Sequence, residues 1–315
     1  MEISLNGSKL LTRFGLLIAL VILAAVLSIT SDQFLSINNI LNLLLQASVN
    51  ASLAAGMTLV ILTAGIDLSV GSVLALTAVV TASMLQSELP VILAVVIGFA
   101  TGAFIGTING LLVHIAKIPP FIATLGMMTL TRGLALSYSQ GRPVTGLPED
   151  FLKLGVSFFL GIPTPVIIIF ALYLFGTLIL YGTSFGRYIY AIGTNVTAAK
   201  YAGIPIGPII ITVYAVSGVL AAFGGMVLVA RLDSAQPVMG ITYELDAIAA
   251  VVLGGASLAG GRGTLGGTFL GVLIMAVIAN AINILNISPF YAQVLKGSII
   301  IVALLIYSLG QKDRS

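Results

Sequence analysis

The sequence predicts an all-α membrane protein that crosses the bilayer about ten times. Three observations carry that prediction. Only 7 % of the 315 residues are charged while 59 % are hydrophobic, and mean hydropathy is +1.17. A soluble domain carries roughly 25 % charged residues, because polar groups must face water over its surface. Runs of about 20 residues free of charge, the length that crosses a ~30 Å hydrocarbon core, recur along the chain. This composition excludes a cytosolic enzyme, a nucleic-acid binder and a disordered chain. With no cysteine and one histidine, His114, thiol catalysis, cysteine-held zinc, iron–sulfur clusters and multi-histidine sites are excluded too.

The spans follow in order. The first, about 14–30, stands behind Lys9 and Arg13 and reads as an uncleaved helix rather than a signal peptide, since no small-x-small site precedes Asp32. The second runs from Asn38 to about Thr63, the third over 68–86, and the fourth over 91–113. The fifth follows Pro119-Pro120 and ends near Gln140. The sixth covers 163–182 and the seventh 207–230, behind Pro205 and Pro208. Spans eight (241–256), nine (265–286) and ten (289–310) complete the count. An even count with both termini inside places Lys9, Arg13, Lys117, Arg187, Lys200, Arg262, Lys312 and Arg314 on the cytoplasmic side, against Arg142, Lys153 and Arg231 outside. That is the asymmetry expected of loops sorted by Lys and Arg. The whole chain, 1–315, then forms a single transmembrane domain with two sizeable polar segments, 140–162 outside and 184–208 inside. Neither is large enough for an enzyme, so catalysis or nucleotide binding, if it occurs at all, is expected in another chain.

Polar residues inside spans are costly and face a partner or a wet cavity. On span two, Asn39, Asn42, Gln46 and Asn50 recur at intervals of three, four and four, which keeps them on one helical face. Amides both donate and accept, which suits a hydroxyl-rich neutral solute; the same residues also serve as interhelical glue. Asn280 and Asn283 on span nine form a similar pair. Asp67, in AGIDLSVG, is expected to cap a helix start rather than couple an ion. Arg132 and Lys296 are expected to snorkel or to pair with a buried acid. Gly98, Gly102, Gly106 and Gly110, with Gly267 and Gly271, have the four-residue spacing that lets helix backbones approach closely. The run LGGASLAGGRGTLGG (253–267) lacks the spacing of a phosphate loop and reads as a turn. Residues 46–75 align without gaps on 242–271, a faint internal duplication.

The inside segment SFGRYIYAIGTNVTAAKYAGIPIGP predicts a short helix over 196–201, capped by Thr194 or Asn195 and stopped by Gly203. Its pattern GxNxxAAxxxGI resembles the coupling-helix loop of bacterial ABC importer permeases. More widely, segments 36–72, 119–133, 186–204 and 230–267 are similar to the sugar branch of the branched-chain amino acid and sugar permease family. The resemblance implies a type II ABC importer-like bundle in the cytoplasmic membrane, surrounded by lipid and paired with a second copy. It implies an ATP-binding cassette ATPase inside, which keeps ATP and Mg, so that this chain holds no cofactor, no metal and no catalytic residue. Outside, it implies a sugar-binding protein that delivers the cargo, ribose before other pentoses, hexoses or a sugar-like signal molecule. By the same resemblance, Gly193, Asn195, Ala198, Ala199, Lys200, Tyr201 and Gly203 contact the ATPase. External Arg142, Lys153 and Arg231 are the candidates for docking the binding protein. An ion-coupled carrier using Asp67 with Glu244 or Asp246 is the rival reading.

Overall fold

A computed structural model describes residues 7–288, and beyond them 291, 294, 295, 297, 298 and 301. Lys296 and most of expected span ten fall outside the described residues. Twelve described helices follow one another: α1 (Gly7–Thr30), α2 (Ile37–Leu62), α3 (Val70–Gln86), α4 (Val91–His114), α5 (Pro120–Tyr138), α6 (Glu149–Val156), α7 (Thr164–Gly182), α8 (Ser184–Thr194), α9 (Val196–Tyr201), α10 (Ile206–Leu232), α11 (Tyr243–Leu253) and α12 (Leu265–Ile284). Five of them, α2, α4, α7, α10 and α12, are long and apolar enough to cross a membrane. Prolines start several helices, as at Pro119-Pro120 and Pro205, where a fixed φ and a missing N–H cost nothing in the first turn.

Helix α2 is the hub. From Ala47 to Leu62 nearly every residue is buried, and hydroxyls tie it sideways to its neighbours. Ser52 donates to the Leu220 carbonyl of α10, Thr58 bonds Thr268 of α12 at 2.8 Å, and Tyr173 of α7 donates to the Ala51 carbonyl at 2.9 Å. Between helices in lipid there is little hydrophobic drive, so close packing and such bonds, each about 0.6–2 kcal/mol, hold the bundle. Large apolar side chains instead point outward on α4 and α7, Phe104 and Phe170 among them, as a lipid-facing surface requires.

The glycine ladder of α4 packs inside the chain. A Cβ on Gly102, Gly106 or Gly110 would strike the backbone of α10 at Gly218, Tyr214 and Ile211, and one on Gly98 would strike Thr81 and Met226. Gly267 and Gly271 meet α11 at Gly254 and Ala250 in the same way.

Expected span eight is shorter than predicted. Helix α11 has 11 residues, about 16 Å at 1.5 Å per residue, roughly half the hydrocarbon thickness. Gly240 and Thr242, both at positive φ, break its start, and Gly255 ends it. Positive φ is a real outlier for a β-branched residue such as Thr242. The 140–162 segment also holds more order than a loop. It contains β1 (Val144–Thr145) and helix α6, and leads into a hairpin of β2 (Phe158–Phe159) and β3 (Ile162–Pro163). β1 pairs antiparallel with β4 (Ser234–Ala235), which lies just past α10, and the Asp233 carboxylate accepts from the Leu147 N–H.

Candidate functional site

At the end of the bundle that carries these strands, the in-span amides converge. The Ser36 hydroxyl accepts from the Asn39 N–H and caps α2. The three- and four-residue steps then aim Asn39, Asn42 and Gln46 to one side. Opposite stand Asn280 and Asn283 of α12 and Arg231 from the last turn of α10. Together they line a polar cavity of about 350 Å³. Asn39 and Asn280 bond each other reciprocally, Nδ2 to Oδ1, at 3.1 and 2.8 Å. Among the described residues, the side chains of Asn42, Gln46 and Asn283 make no hydrogen bond, so their donors and acceptors are open to the cavity. The amides thus divide: one pair joins helices and three residues are unpaired. Asn50, the next in the series, is half-buried and does not line the cavity.

Gln33 and Asn286 line it too and escaped the sequence reading. Both lie outside the helices, where helical periodicity carries no signal. Asn286, three residues past Asn283 and at positive φ, continues the spacing that joins Asn280 to Asn283. Arg231, read as a surface cation, lies on the cavity wall. Arg142 is exposed in the turn after α5. Lys153 is exposed and paired with Asp150 at 2.7 Å; this contact holds the Asp150 carboxyl below its ordinary range and the Lys153 amine above its own.

At the other end of the bundle, Asn195 caps α9 by accepting from the Ala198 N–H at 2.9 Å. Gly203, at φ +75°, ends the turn, a conformation that costs glycine little. Asn195, Ala198, Lys200, Tyr201 and Gly203 are exposed, Tyr201 at 87 %. Ala199 is buried and Gly193 is partly covered. The sequence reading missed α8, whose Gly186, Ile189 and Ile192 form its buried stripe at three-residue spacing. This helix joins the segment to two turns. A Cβ on Gly193 would strike the Leu62 carbonyl at the end of α2. That carbonyl accepts from the Gly261 N–H at 3.0 Å in the α11–α12 turn. The Tyr190 hydroxyl donates to the Gly263 carbonyl in the same turn at 2.8 Å. Burial, with Tyr181 stacked beside it, pushes the Tyr190 phenol above its ordinary range.

Between the two ends lies Asp67, buried in the turn from α2 to α3. Its carboxylate accepts from the Ser69 N–H and hydroxyl at 3.0 and 2.6 Å and from the Ser217 hydroxyl at 3.0 Å, with the Asn109 amide at 3.5 Å. It takes the N–H just before α3 and fastens that broken stretch to α4 and α10. Arg132 donates to the backbone carbonyls of Pro237 and Met239 at 2.6 and 2.7 Å, and half-buried Glu244 lies near enough to attract its charge, so the expected acid is present beside backbone partners the sequence did not announce. The approach to α11 doubles back beside α5, and its otherwise unpaired carbonyls take the guanidinium donors. No group of three or more acidic, histidine or cysteine residues fit for a metal occurs among the described residues.

Comparison with known proteins matches residues 39–304 to the family described as the branched-chain amino acid transport system permease component. The chain is 48 % identical to the ribose import permease protein of Haemophilus influenzae over 292 residues, covering 91 % of this chain and 90 % of that one. It is 49 % identical to the protein of the same name from Escherichia coli strain K12, covering 92 % of each chain. For the Bacillus subtilis protein of that name the figure is 47 %, over 93 % of this chain and 92 % of that one. More distant relatives carry the names of other sugars. No solved structure matches the chain.

Proposed function

Since the chain belongs to the branched-chain amino acid transport system permease family, we propose that it is the permease subunit of an ATP-driven importer of ribose. The carrying observation is near-full-length identity, close to half the residues, to ribose import permeases of three organisms. The amide cavity supports it from the chemistry, because uncharged donors and acceptors match hydroxyl groups and repay their desolvation without selecting an ion. In this reading the cavity end faces outward and the α8–α9 end faces the cytoplasm, both termini lying inside. The permease pairs with a second copy. The exposed face of α9, with Asn195, Ala198, Lys200, Tyr201 and Gly203, docks an ATPase subunit that holds ATP and Mg. Gly193 and Ala199, turned toward the bundle, carry the movement of that subunit inward. Arg142 and Lys153 meet the sugar-binding protein, and Arg231 guards the cavity it discharges into. Asn39, Asn42, Gln46, Asn280 and Asn283 form the first stage of the path, with Asn50 beyond them.

The test is reconstitution in liposomes with the ATPase and binding protein encoded beside the permease gene. Ribose should accumulate uphill only when all components and ATP are present. Uphill uptake by this chain alone, driven by a sodium or proton gradient, would overturn the proposal.

A further inference from the structure

The reciprocal amide pair differs from an ordinary helix clasp in where it sits. Asn39 is in the first turn of α2, and Asn280 is about one turn from the end of α12. Helix ends are where local opening is least costly. The same two helices are joined again toward their other ends by the buried Thr58–Thr268 hydroxyl pair. Only the Asn39–Asn280 joint borders the cavity, and it stands beside the unpaired carboxamides of Asn42, Gln46 and Asn283. Were these amides present only as glue, they too would be paired across the helices.

We infer that the Asn39–Asn280 pair is a gate in the cavity wall between α2 and α12, closed by the two amides bonding each other and opened by exchange with adjacent hydroxyls of a neutral polyol. The inference rests on the permease reading and assigns a gate on its path. Each amide in the pair uses one donor and one acceptor on the other. A vicinal diol offers one hydroxyl to each amide, and every hydroxyl both donates and accepts, so the number of hydrogen bonds is conserved through the exchange. A solute without adjacent hydroxyls satisfies only one of the two amides and so exchanges with the pair less well. The Arg231 guanidinium on the wall disfavours cations. The class admitted is therefore neutral and hydroxyl-rich, a selection made in the permease itself.

The sequence contains no cysteine, so Asn39→Cys/Asn280→Cys introduces two unique thiols. In the reconstituted complex, bridging them with a short bis-methanethiosulfonate should lower ribose uptake about tenfold or more relative to the same protein after reduction. The cysteine-free chain treated alike keeps its uptake. Protein shown by mass to be bridged, yet transporting at its reduced rate, overturns the inference. Because the double variant removes the amides, a second measurement leaves them in place. Spin labels on Asn38→Cys and Leu285→Cys, both exposed beside the joint, should report a longer distance when ribose-loaded binding protein and ATP are added. An unchanged distance during measured uptake overturns the gate while leaving the permease reading intact. Absence of ATP-driven ribose uptake by the unaltered complex strikes at the permease reading instead.

Discussion

Asp67 decides between two mechanisms, because a buried carboxylate in a membrane protein is either a fastener or a titrating site. Its oxygens accept from Ser69 twice and from Ser217, with Asn109 at the edge of bonding distance, which favours the fastener. Asp67→Asn keeps an acceptor for the Ser69 N–H, whereas Asp67→Ala strands several buried donors at about 1–3 kcal/mol each. The Ala variant should melt well below the parent in detergent, with Asn between them. ATP-driven uptake should survive in the Asn variant; complete loss of uptake in well-folded Asn protein would mean that the carboxylate titrates during transport. At the surface, Asn195 holds the first turn of α9, a helix of only six residues. Asn195→Ala removes a cap worth about 1 kcal/mol. Stimulation of ATP hydrolysis by sugar-loaded binding protein should fall, and Asn195→Asp should restore it.

At the scale of elements, the glycine ladder of α4 sets how near α10 can come. Gly106→Leu drives a side chain into the Tyr214 backbone, where overpacking costs about 1–3 kcal/mol or more because backbone cannot yield as a side chain does. A Cβ on Gly126 of α5 meets nothing within 4 Å, and the residue is exposed, so Gly126→Leu has room to point outward. The first should lower the melting temperature of the purified chain and the second should not, a contrast that thermal unfolding in one detergent measures directly. This ladder was visible in the sequence as a four-residue repeat, though its partner helix was not. The long spans were equally legible, since uninterrupted apolar runs leave few other conformations in lipid. Helix α9 was legible from its cap and stop. What escaped depended on distant contacts. Nothing local in Thr242 announces a left-handed backbone, yet it shortens α11. The β1–β4 pairing joins Val144 to Ala235 and Thr145 to Ser234, far apart in the chain, and α8 hides its stripe among aromatic residues that also suit a loop. For the candidate site, spacing put Asn39, Asn42 and Gln46 on one face, but only the fold brought Asn280, Asn283 and Arg231 opposite them.

Over the whole molecule, the two functional ends are connected by the same pair of helices. α2 runs from the cavity at Asn39 to Leu62, and α12 from the turn holding Gly261 and Gly263 to the cavity at Asn280. The α8–α9 segment touches both at the far end, through Gly193 against Leu62 and Tyr190 on Gly263. Under the proposed function, displacement of α9 by the ATPase therefore reaches the amide cavity by rigid-body movement of α2 and α12, with no contiguous chain of side chains required. Gly193→Val tests this linkage. The added methyl groups wedge α8 away from Leu62 and leave the exposed docking face of α9 untouched. The permease should still assemble with its ATPase and support ATP hydrolysis, while ribose moved per ATP consumed falls about tenfold. Tyr190→Phe removes one hydrogen bond from the same junction and should lower the ratio by a smaller factor in the same direction. If both variants transport ribose at the parental ratio, α8 is only a spacer, and the force must enter the bundle elsewhere.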